Sequence, residues 1–355
     1  MLIAINTSTL TENLLDFNNS FLLEFLTQIT QQHHQHQFIF IFNEAYSKHL
    51  VFNKNVTPII IKSSLKTKLA ASYWYNILLP LALKKYKANI LIQTNEICSS
   101  NVNIPQILFL QNDSKTVTKN NLYRAKKVIT PTIFSKQQLV EKHQLDANKI
   151  KVLYSASNNF KPKDIDIKQQ TKDGYADGRE YFLFFGGVKP NNNLMQVLKA
   201  FSMFKKWQYS SMKLLVEGNL IYKNEDLAVK LKTYKYRDDV VLLGNISTAK
   251  IATITASAYC SIYIPTYDGY TQQIFAAMQS AVPVITLNNT SMQEIGGNAA
   301  LYTNTIEPED IAAQMQLIYK DENLRTNQIK QGLEQATTFS LKKSIDTFWN
   351  VIEDV

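Results

Sequence analysis

The sequence predicts an α/β protein built from two successive Rossmann-like units with mostly parallel sheets. Short, continuously apolar segments alternate with segments whose apolar residues recur at helical spacing, a pattern typical of parallel strands covered by helices. A polar stretch containing Gly174 and Gly178 interrupts this alternation, which then restarts. The 355 residues are long for one core and sufficient for two.

The first unit is predicted over residues 1–160. It begins with a short buried strand, MLIAINTS, followed by a helix with one apolar face, NSFLLEFLTQITQQ. Further strands are expected at QFIFIFN, TPIIIKS, ANILIQT, IPQILFLQND, KKVITPT and IKVLYSA, and helices at SLKTKLAASYWYNILLPLALKKYK and SKQQLVEKHQ. Right-handed crossovers are expected between the parallel strands.

Residues 161–179, KPKDIDIKQQTKDGYADGR, are the predicted linker, and residues 180–339 are the predicted second unit. Its strands are expected at EYFLFFGG, MKLLVEG, DDVVLLGNI, CSIYIPT and VPVITL, and its helices at NNLMQVLKAFSMFKKW, DLAVKLKTYK, TAKIATITASA, QQIFAAMQS and, after NAALYT, PEDIAAQMQLIYKDENL. Residues 340–355 form a predicted amphipathic helix, in which Phe348 and Trp349 share a face. This helix packs on either unit or joins them.

The net charge of +9 has two readings that composition leaves open. It favours anionic partners such as nucleotide diphosphates or acidic lipids, or it reflects solvated lysines that aid solubility. A nucleic-acid partner has only this charge in its support, so none is predicted. The basic stretch KTKLAASYWYNILLPLALKKYK fits a helix that contacts a membrane surface, and it fits equally a helix that covers the sheet, which is the favoured reading.

Cysteine and histidine usage indicates a protein of the reducing cytoplasm without a metal site. Cys98 and Cys260 lie in apolar segments and are expected to be buried free thiols. The histidines of QQHHQHQ lie in a polar stretch, where a solvated loop is favoured over a metal site. The start of the chain lacks a signal-peptide pattern, and the longest apolar run is too short to span a bilayer.

Two strand-to-helix turns of the second unit are candidate ligand sites, because ligands bind outside the carboxyl ends of strands in such sheets. In FFGGVKPNNNL, Gly186 and Gly187 allow close approach of backbone, Lys189 offers a cation, and Asn192 and Asn193 offer amides at a helix start. The alternative is a plain turn with an asparagine N-cap.

The second turn is IPTYDGYTQQ. Asp268 is positioned to accept hydrogen bonds from sugar hydroxyls, and Gly269, Tyr270 and Thr271 present N–H groups to a phosphate at the helix N-terminus. The alternative is that Asp268 only caps the turn. In the first unit, the strand end LFLQND would place Gln111, Asn112 and Asp113 toward the cleft between the domains, although position alone favours a plain polar strand end.

These segments, in this order, resemble glycosyltransferase family four. The resemblance rests on FLFFGGVKPNNNLMQVLKAF, VVLLGNISTAKIATITASAYCSIYIPTYDGYTQQIFAAMQSAVPVIT, SMQEIGGNAALY and KKVITPTIFSKQQLVEKHQLDANKIKVLYSASNNFKP, and it covers nearly the whole chain. It implies the GT-B architecture of two facing Rossmann-like domains, with a nucleotide-diphosphate sugar on the second and an acceptor on the first. It also implies retaining, metal-independent transfer without a cofactor.

Several motif residues depart from that family. Asn191 and Asn192 replace an expected cation pair, and Ala276 replaces a glutamate that binds the nucleotide ribose in the family. The resemblance therefore implies a hexosyltransferase of polysaccharide biosynthesis with an altered donor site, in which Gln272 also contacts the donor and Gln111 lies near the transferred sugar. Its acceptor is a glycan or a lipid-linked saccharide. The alternative is an inactive GT-B protein that binds a glycan or a partner glycosyltransferase.

Overall fold

The structure, a computed structural model, describes residues 1–10, 17–47, 50–63, 67–110, 117–187, 192–218, 225–266 and 271–355. The chain divides into two compact units. Unit 1 comprises Met1–Ser155 and Leu341–Val355, and unit 2 comprises Ala156–Ser340.

Unit 1 is built on a seven-stranded parallel sheet with the strand order β3-β2-β1-β4-β5-β6-β7. Its strands are β1 (Leu2–Asn6), β2 (Gln37–Phe42), β3 (Val56–Ile60), β4 (Ile90–Gln93), β5 (Gln106–Phe109), β6 (Lys127–Thr130) and β7 (Ile150–Val152). Its helices are α1 (Phe17–Gln32), α2 (Lys68–Tyr73), α3 (Leu79–Tyr86), α4 (Lys119–Arg124) and α5 (Ile133–His143), and α14 (Leu341–Glu353) returns from the end of the chain. A π-helical turn, Trp74–Leu78, joins α2 to α3.

The inner strands of unit 1 (β1, β2, β4, β5 and β6) are buried on both faces, which explains their continuous hydrophobic runs, whereas the edge strands β3 and β7 are partly exposed. β1 lies inside the sheet and pairs with β2 from Leu2↔Gln37 and with β4 from Ile3↔Ile90. One face of the sheet packs against α1 and α14, and the other packs against the helix that contains Trp74. None of the helices in the described ranges is long and apolar enough to cross a bilayer.

The C-terminal helix α14 belongs to unit 1. Its predicted apolar face is buried, and Phe348 lies edge-on to Phe25 with 5.2 Å between ring centroids. Ser344 Oγ donates a hydrogen bond of 2.7 Å to the Tyr154 carbonyl. Of the two placements that the sequence leaves open, the structure shows packing within the first unit rather than on the second.

The histidine stretch after α1 contacts this helix. His33 stacks on Trp349 with 3.5 Å between ring centroids and an interplanar angle of 10°. Partial burial lowers the pKa of His33, and the charge of His36 lowers it further, against the opposing effect of Glu353 and Asp346. His33 is therefore neutral on Trp349 over a wider pH range than a free histidine.

We expect the free energy of unfolding of the wild-type chain to fall more steeply than that of His33→Gln as the pH drops from about 7 to about 5. In the unfolded chain His33 takes up a proton near its ordinary pKa of about 6.5, whereas in the folded chain it does so only at lower pH, so protons stabilise the unfolded state. Urea unfolding at several pH values measures this. Gln35→Ala, which changes an exposed residue of the same turn without removing a titratable group, should keep the wild-type slope. Equal slopes for wild type and His33→Gln would contradict the expectation.

Unit 2 is built on a six-stranded parallel sheet with the strand order β10-β9-β8-β11-β12-β13. Its strands are β8 (Tyr181–Phe184), β9 (Lys213–Val216), β10 (Val240–Leu242), β11 (Cys260–Tyr263), β12 (Val284–Leu287) and β13 (Ala300–Thr303). Its helices are α6 (Ile165–Ala176), α7 (Leu194–Gln208), α8 (Glu225–Lys232), α9 (Thr248–Ser257), α10 (Gln272–Gln279), α11 (Thr290–Gly296), α12 (Pro308–Lys320) and α13 (Glu322–Thr337).

The stretch predicted as a linker, residues 161–179, contains the helix α6 and lies within unit 2. The helix packs against α9 and buries Thr171 and Ala176. Lys172 Nζ lies 2.5 Å from Glu180 Oε1, which ties the helix to the start of β8. The sequence did not reveal it because its buried residues are few and small, so no apolar face stands out.

Candidate functional site

The candidate site of unit 2 lies at the point where the strand order of its sheet reverses. β8 is the first strand of the unit, and its neighbours β9 and β11 lie on opposite sides of it. Connections leave β8 and β11 in opposite directions, so a crevice opens at their carboxyl ends. The glycine turn after β8 and the turn after β11, which the sequence predicts as ligand sites, both begin at this edge.

The glycine turn is shaped by close contact with an aromatic ring. Gly186 has a φ of +143° and Gly187 a φ of +79°, values that side chains rarely adopt. A Cβ on Gly186 would lie 2.7 Å from Cε2 of the buried Tyr263. Gly186 N donates a hydrogen bond of 3.2 Å to Glu217 Oε2, from the end of β9. The main reason for a glycine at position 186 is therefore the close packing of the turn against Tyr263.

The two asparagines before α7 use their side-chain amides within the protein. Asn192 Nδ2 donates to the carbonyls of Gly186 and Gly187. Asn193 has a φ of +56°, and its Nδ2 donates to the Ile264 carbonyl at 2.8 Å and to Thr266 Oγ1 at 2.9 Å. The contacts of Asn193 fasten the glycine turn to the end of β11. In the structure these side-chain amides donate to neighbouring turns, and their contact with a ligand stays a prediction.

The start of α10 combines a helix N-terminus with a buried hydroxyl. The Thr271 carbonyl accepts hydrogen bonds from the N–H groups of Ile274 and Phe275, at 3.2 and 3.3 Å. The side chains of Thr271, Gln272 and Gln273 are buried, and Thr271 Oγ1, Gln272 Oε1 and Gln273 Oε1 have no hydrogen-bond partner within the described ranges. Free N–H groups and a hydroxyl at the positive end of a helix suit an anion.

Five predicted site residues lie outside the described residues, and their roles stay predictions. These are Gln111, Lys189, Asp268, Gly269 and Tyr270. Ala276, where the resembling family has a glutamate, is buried in the middle of α10.

A second polar cluster lies at the corresponding reversal point of unit 1, between the carboxyl ends of β1 and β4. Asn6 Nδ2 donates to Gln93 Oε1 at 2.9 Å, and Asn95 Nδ2 donates to Ser8 Oγ at 3.1 Å and to the Tyr75 hydroxyl. Burial raises the pKa of Tyr75, so this hydroxyl stays neutral at neutral pH.

Two buried atoms of this cluster, Gln93 Nε2 and Asn95 Oδ1, have no partner in the part of the chain that the structure describes. One is a donor and the other an acceptor, and neither is charged, which suits a hydroxyl-bearing ligand better than an ion. The sequence predicts a first-unit site residue at Gln111 and does not predict this cluster. A signal was present, because Asn6 and Gln93 end strands that are otherwise apolar.

Cys98 and Cys260 are both buried free thiols, as the sequence predicts. Burial raises the pKa of Cys98 to about 12 and also raises the pKa of Cys260, so both remain protonated at neutral pH. Within the described ranges, His, Cys, Asp and Glu side chains form no group of three that could hold a metal ion.

Comparison with known families and curated proteins identifies relatives. Residues 166–335, nearly half of the chain and most of unit 2, match the family described as glycosyl transferases group 1. The O-antigen chain mannosyltransferase B of Escherichia coli is 24% identical over 228 residues, and the O-antigen chain mannosyltransferase RfbU of Salmonella typhimurium is 27% identical over 192 residues. These matches cover 62% and 54% of the chain, which spans 58% and 50% of the two relatives' lengths.

Solved structures resemble the chain over its whole length. Anabaena HepE in complex with UDP-glucose has a TM-score of 0.81 at 13% identity and covers 100% of both chains. A glycosyltransferase from Rickettsia africae has a TM-score of 0.81 at 15% identity, covering 99% of this chain and 98% of that one. WaaG, a glycosyltransferase involved in lipopolysaccharide biosynthesis, has a TM-score of 0.78 at 11% identity and covers 99% of both chains. These similarities confirm the predicted GT-B fold class.

Proposed function

We propose that this chain, which carries a glycosyl transferases group 1 domain over residues 166–335, is a glycosyltransferase that moves a sugar from a nucleotide-diphosphate sugar to a saccharide acceptor. The family match, the two mannosyltransferase relatives and the resemblance to HepE with UDP-glucose support this class of reaction. The observation that carries the proposal is the start of α10. There, the Thr271 hydroxyl is buried and has no hydrogen-bond partner among the described residues, and it lies at a helix N-terminus beside the reversal point of the sheet.

The proposed donor site holds the diphosphate at the start of α10. The first-turn N–H groups and the Thr271 hydroxyl would donate to phosphate oxygens, and the positive end of the helix favours their charge. The glycine turn after β8 lies beside this position, because Asn193 ties it to Ile264 and Thr266 at the end of β11. Lys189, Gly269, Tyr270 and Gln272 are the further proposed donor contacts.

The proposed reaction breaks the bond between the anomeric carbon of the sugar and the diphosphate oxygen. A hydroxyl oxygen of the acceptor forms the new bond to that carbon, the acceptor proton is released, and the nucleoside diphosphate leaves. Stabilising the departing diphosphate is the main electrostatic demand, and Lys189 with the helix N–H groups would meet it. Asp268 and Gln111 are proposed to contact the transferred sugar. Retention of configuration and independence from metal ions are part of the proposal, as the resemblance to family four implies.

The acceptor is proposed to bind unit 1 through its hydroxyl groups. The neutral amides of Gln93 and Asn95 match a hydroxyl, which both donates and accepts hydrogen bonds. An acceptor of this chemistry is a glycan or the saccharide part of a lipid-linked intermediate. This assignment separates the two ligands by charge, with the anionic donor at a helix N-terminus and the neutral acceptor at a cluster of amides.

Calorimetric titration with UDP, GDP, UDP-glucose and GDP-mannose tests the proposed function. We expect one of the nucleotides and its sugar to bind, and slow release of the sugar to water or to an added glycan. Absence of binding at millimolar concentrations of all four would overturn the proposal. Binding without release of the sugar, under any acceptor tried, would instead support the alternative of an inactive GT-B protein, which the altered residues Asn192 and Ala276 favour.

Thr271→Val should weaken nucleotide binding by about tenfold to a hundredfold without destabilising unit 2. The change removes one hydrogen bond to a charged group, worth roughly 1.5–3 kcal/mol, and leaves no protein partner unsatisfied in the described ranges. Ser280→Ala is the matched control, because Ser280 is a buried hydroxyl without a described partner at the opposite end of α10. Equal affinities for wild type and Thr271→Val, measured by the same calorimetry, would contradict the placement of the diphosphate.

A further inference from the structure

The helix that runs from α2 through the π-helical turn to α3 exposes a line of large apolar side chains. Leu69, Tyr73, Ile77 and Leu81 are 85%, 53%, 44% and 60% exposed. They are four residues apart, so each lies next to the following one on the helix surface. We call this line the exposed stripe. Single exposed apolar residues are ordinary, but a contiguous line of four marks an interaction surface.

The opposite face of the same helix holds it firmly on unit 1. Trp74, Leu79 and Leu83 are buried in the core against the sheet. Trp74 Nε1 donates a hydrogen bond of 2.7 Å to the Ile61 carbonyl. The exposed stripe is therefore not needed to attach the helix. The sequence offers two readings of this stretch, a helix that covers the sheet and a helix that contacts a membrane surface. The buried face covers the sheet, and the exposed face is available to a partner.

The charged residues of the helix that carries the exposed stripe are all lysines. Lys68 lies at one end, Lys84, Lys85 and Lys87 lie at the other, and all four are exposed. Residues 45–95 contain eight lysines and no aspartate or glutamate. Unit 1 contains 19 Lys and Arg against 11 Asp and Glu, whereas unit 2 contains 19 against 18. The positive charge of the protein is thus concentrated on the unit that carries the stripe.

We propose that the exposed stripe and its lysines bind the surface of a bilayer that contains anionic lipids. The four apolar side chains would enter the boundary between headgroups and acyl chains, and the lysines would lie at the lipid phosphates. Lysine is depleted at the centre of protein–protein interfaces, so its abundance here favours a lipid surface over a protein partner. The proposal concerns where the protein is held and does not depend on the reaction that it catalyses.

Co-sedimentation with vesicles tests the proposal. The wild-type chain should bind vesicles of phosphatidylglycerol and phosphatidylcholine in equal parts about tenfold more tightly than vesicles of phosphatidylcholine alone, and salt should weaken the binding. The double variant Leu69→Ser, Leu81→Ser should bind the mixed vesicles at least tenfold more weakly, with an unchanged unfolding midpoint because both side chains are exposed. The matched control is Ile165→Ser with Leu317→Ser, which removes two exposed apolar side chains from unit 2.

Two pairs of charge-reversal substitutions test whether vesicle binding depends on the lysines beside the exposed stripe or on the net charge of the protein. Lys84→Glu with Lys85→Glu should reduce binding to the mixed vesicles at least tenfold. Lys199→Glu with Lys206→Glu makes the same change in net charge at exposed positions of unit 2 and should have a clearly smaller effect. Equal losses for the two pairs, or no vesicle binding by wild type, would overturn the proposal. So would light scattering that shows a wild-type dimer and a Leu69→Ser, Leu81→Ser monomer, because the stripe would then be a contact between copies of the chain.

Discussion

Gly186→Ala is expected to destabilise unit 2 by about 2–5 kcal/mol and to reduce nucleotide binding at least tenfold. The residue has a φ of +143°, and the new Cβ would lie 2.7 and 2.9 Å from two ring carbons of Tyr263. That ring is buried and cannot move aside cheaply. Any shift of the turn would also disturb two hydrogen bonds that fix its shape, the one that Gly186 N donates to Glu217 and the one that Asn192 Nδ2 donates to the Gly187 carbonyl. Denaturant unfolding and the calorimetric titration measure the two effects.

Gly174→Ala is the matched control for this substitution. Gly174 lies within α6, and a Cβ there would meet no atom within 4 Å. Alanine is the better helix former by about 0.5–1 kcal/mol, so this variant should be as stable as wild type or slightly more stable. An unchanged midpoint for Gly186→Ala would mean that the glycine turn can take another conformation, and the described geometry of the site would then be wrong.

Phe348→Ala is expected to lower the free energy of unfolding of unit 1 by about 3–5 kcal/mol. The ring is almost fully buried in α14, 5.2 Å from the ring of Phe25 and 6.1 Å from that of Phe109. Its removal leaves a cavity between the C-terminal helix, α1 and β5, and the surrounding aromatic rings can fill it only in part. Urea unfolding, followed by tryptophan fluorescence, measures the loss because Trp74 and Trp349 both lie in unit 1.

Asn350→Ala separates this packing effect from a general weakening of α14. Asn350 is exposed on the same helix, two residues from Phe348. Alanine there should change the free energy of unfolding by no more than about 0.5 kcal/mol. A small loss for Phe348→Ala, comparable with that of Asn350→Ala, would show that α14 is not part of the unit 1 core.

The parallel strands were predictable because buried parallel strands carry continuous apolar runs. LIAIN, QFIFIF and YFLF are such runs, and each is a strand in the structure. Helices with small or polar buried residues were not predictable in the same way. α13 buries only Gln328, Gly332 and Ala336, and α4 is a single short turn with one buried leucine, so neither carries an apolar period.

One predicted helix proved to be two. The segment PEDIAAQMQLIYKDENL was expected to be continuous, but α12 ends at Lys320 and α13 begins at Glu322. Asp321 between them has an extended conformation, and its carboxylate accepts a hydrogen bond of 2.8 Å from Leu324 N. Aspartate is a strong N-cap residue, so Asp321 is the sequence signal that a second helix begins here.

The candidate site was predictable as a location but not as a set of contacts. Strand order and turn glycines indicate where a ligand binds in a doubly wound sheet. Gly186 contacts Tyr263 at the end of β11 and Glu217 after β9. Which residues meet in these contacts depends on the register of the neighbouring strands and not on the local sequence. The same holds in unit 1, where Asn6 meets Gln93 only because β1 pairs with β4.

The π-helical turn between α2 and α3 has a consequence for how this helix tolerates change. Its backbone bond from Leu79 N to the Trp74 carbonyl closes a wider ring than an α-helix does. Removing one residue from Trp74–Leu78 would let this segment close with the narrower ring of an α-helix, so the side chains after it would stay on their present faces. Removing one residue from α2 would instead rotate every later side chain by about 100° around the axis and turn Trp74, Leu79 and Leu83 out of the core. The π-helical turn is therefore the part of this helix in which a one-residue deletion should be tolerated best.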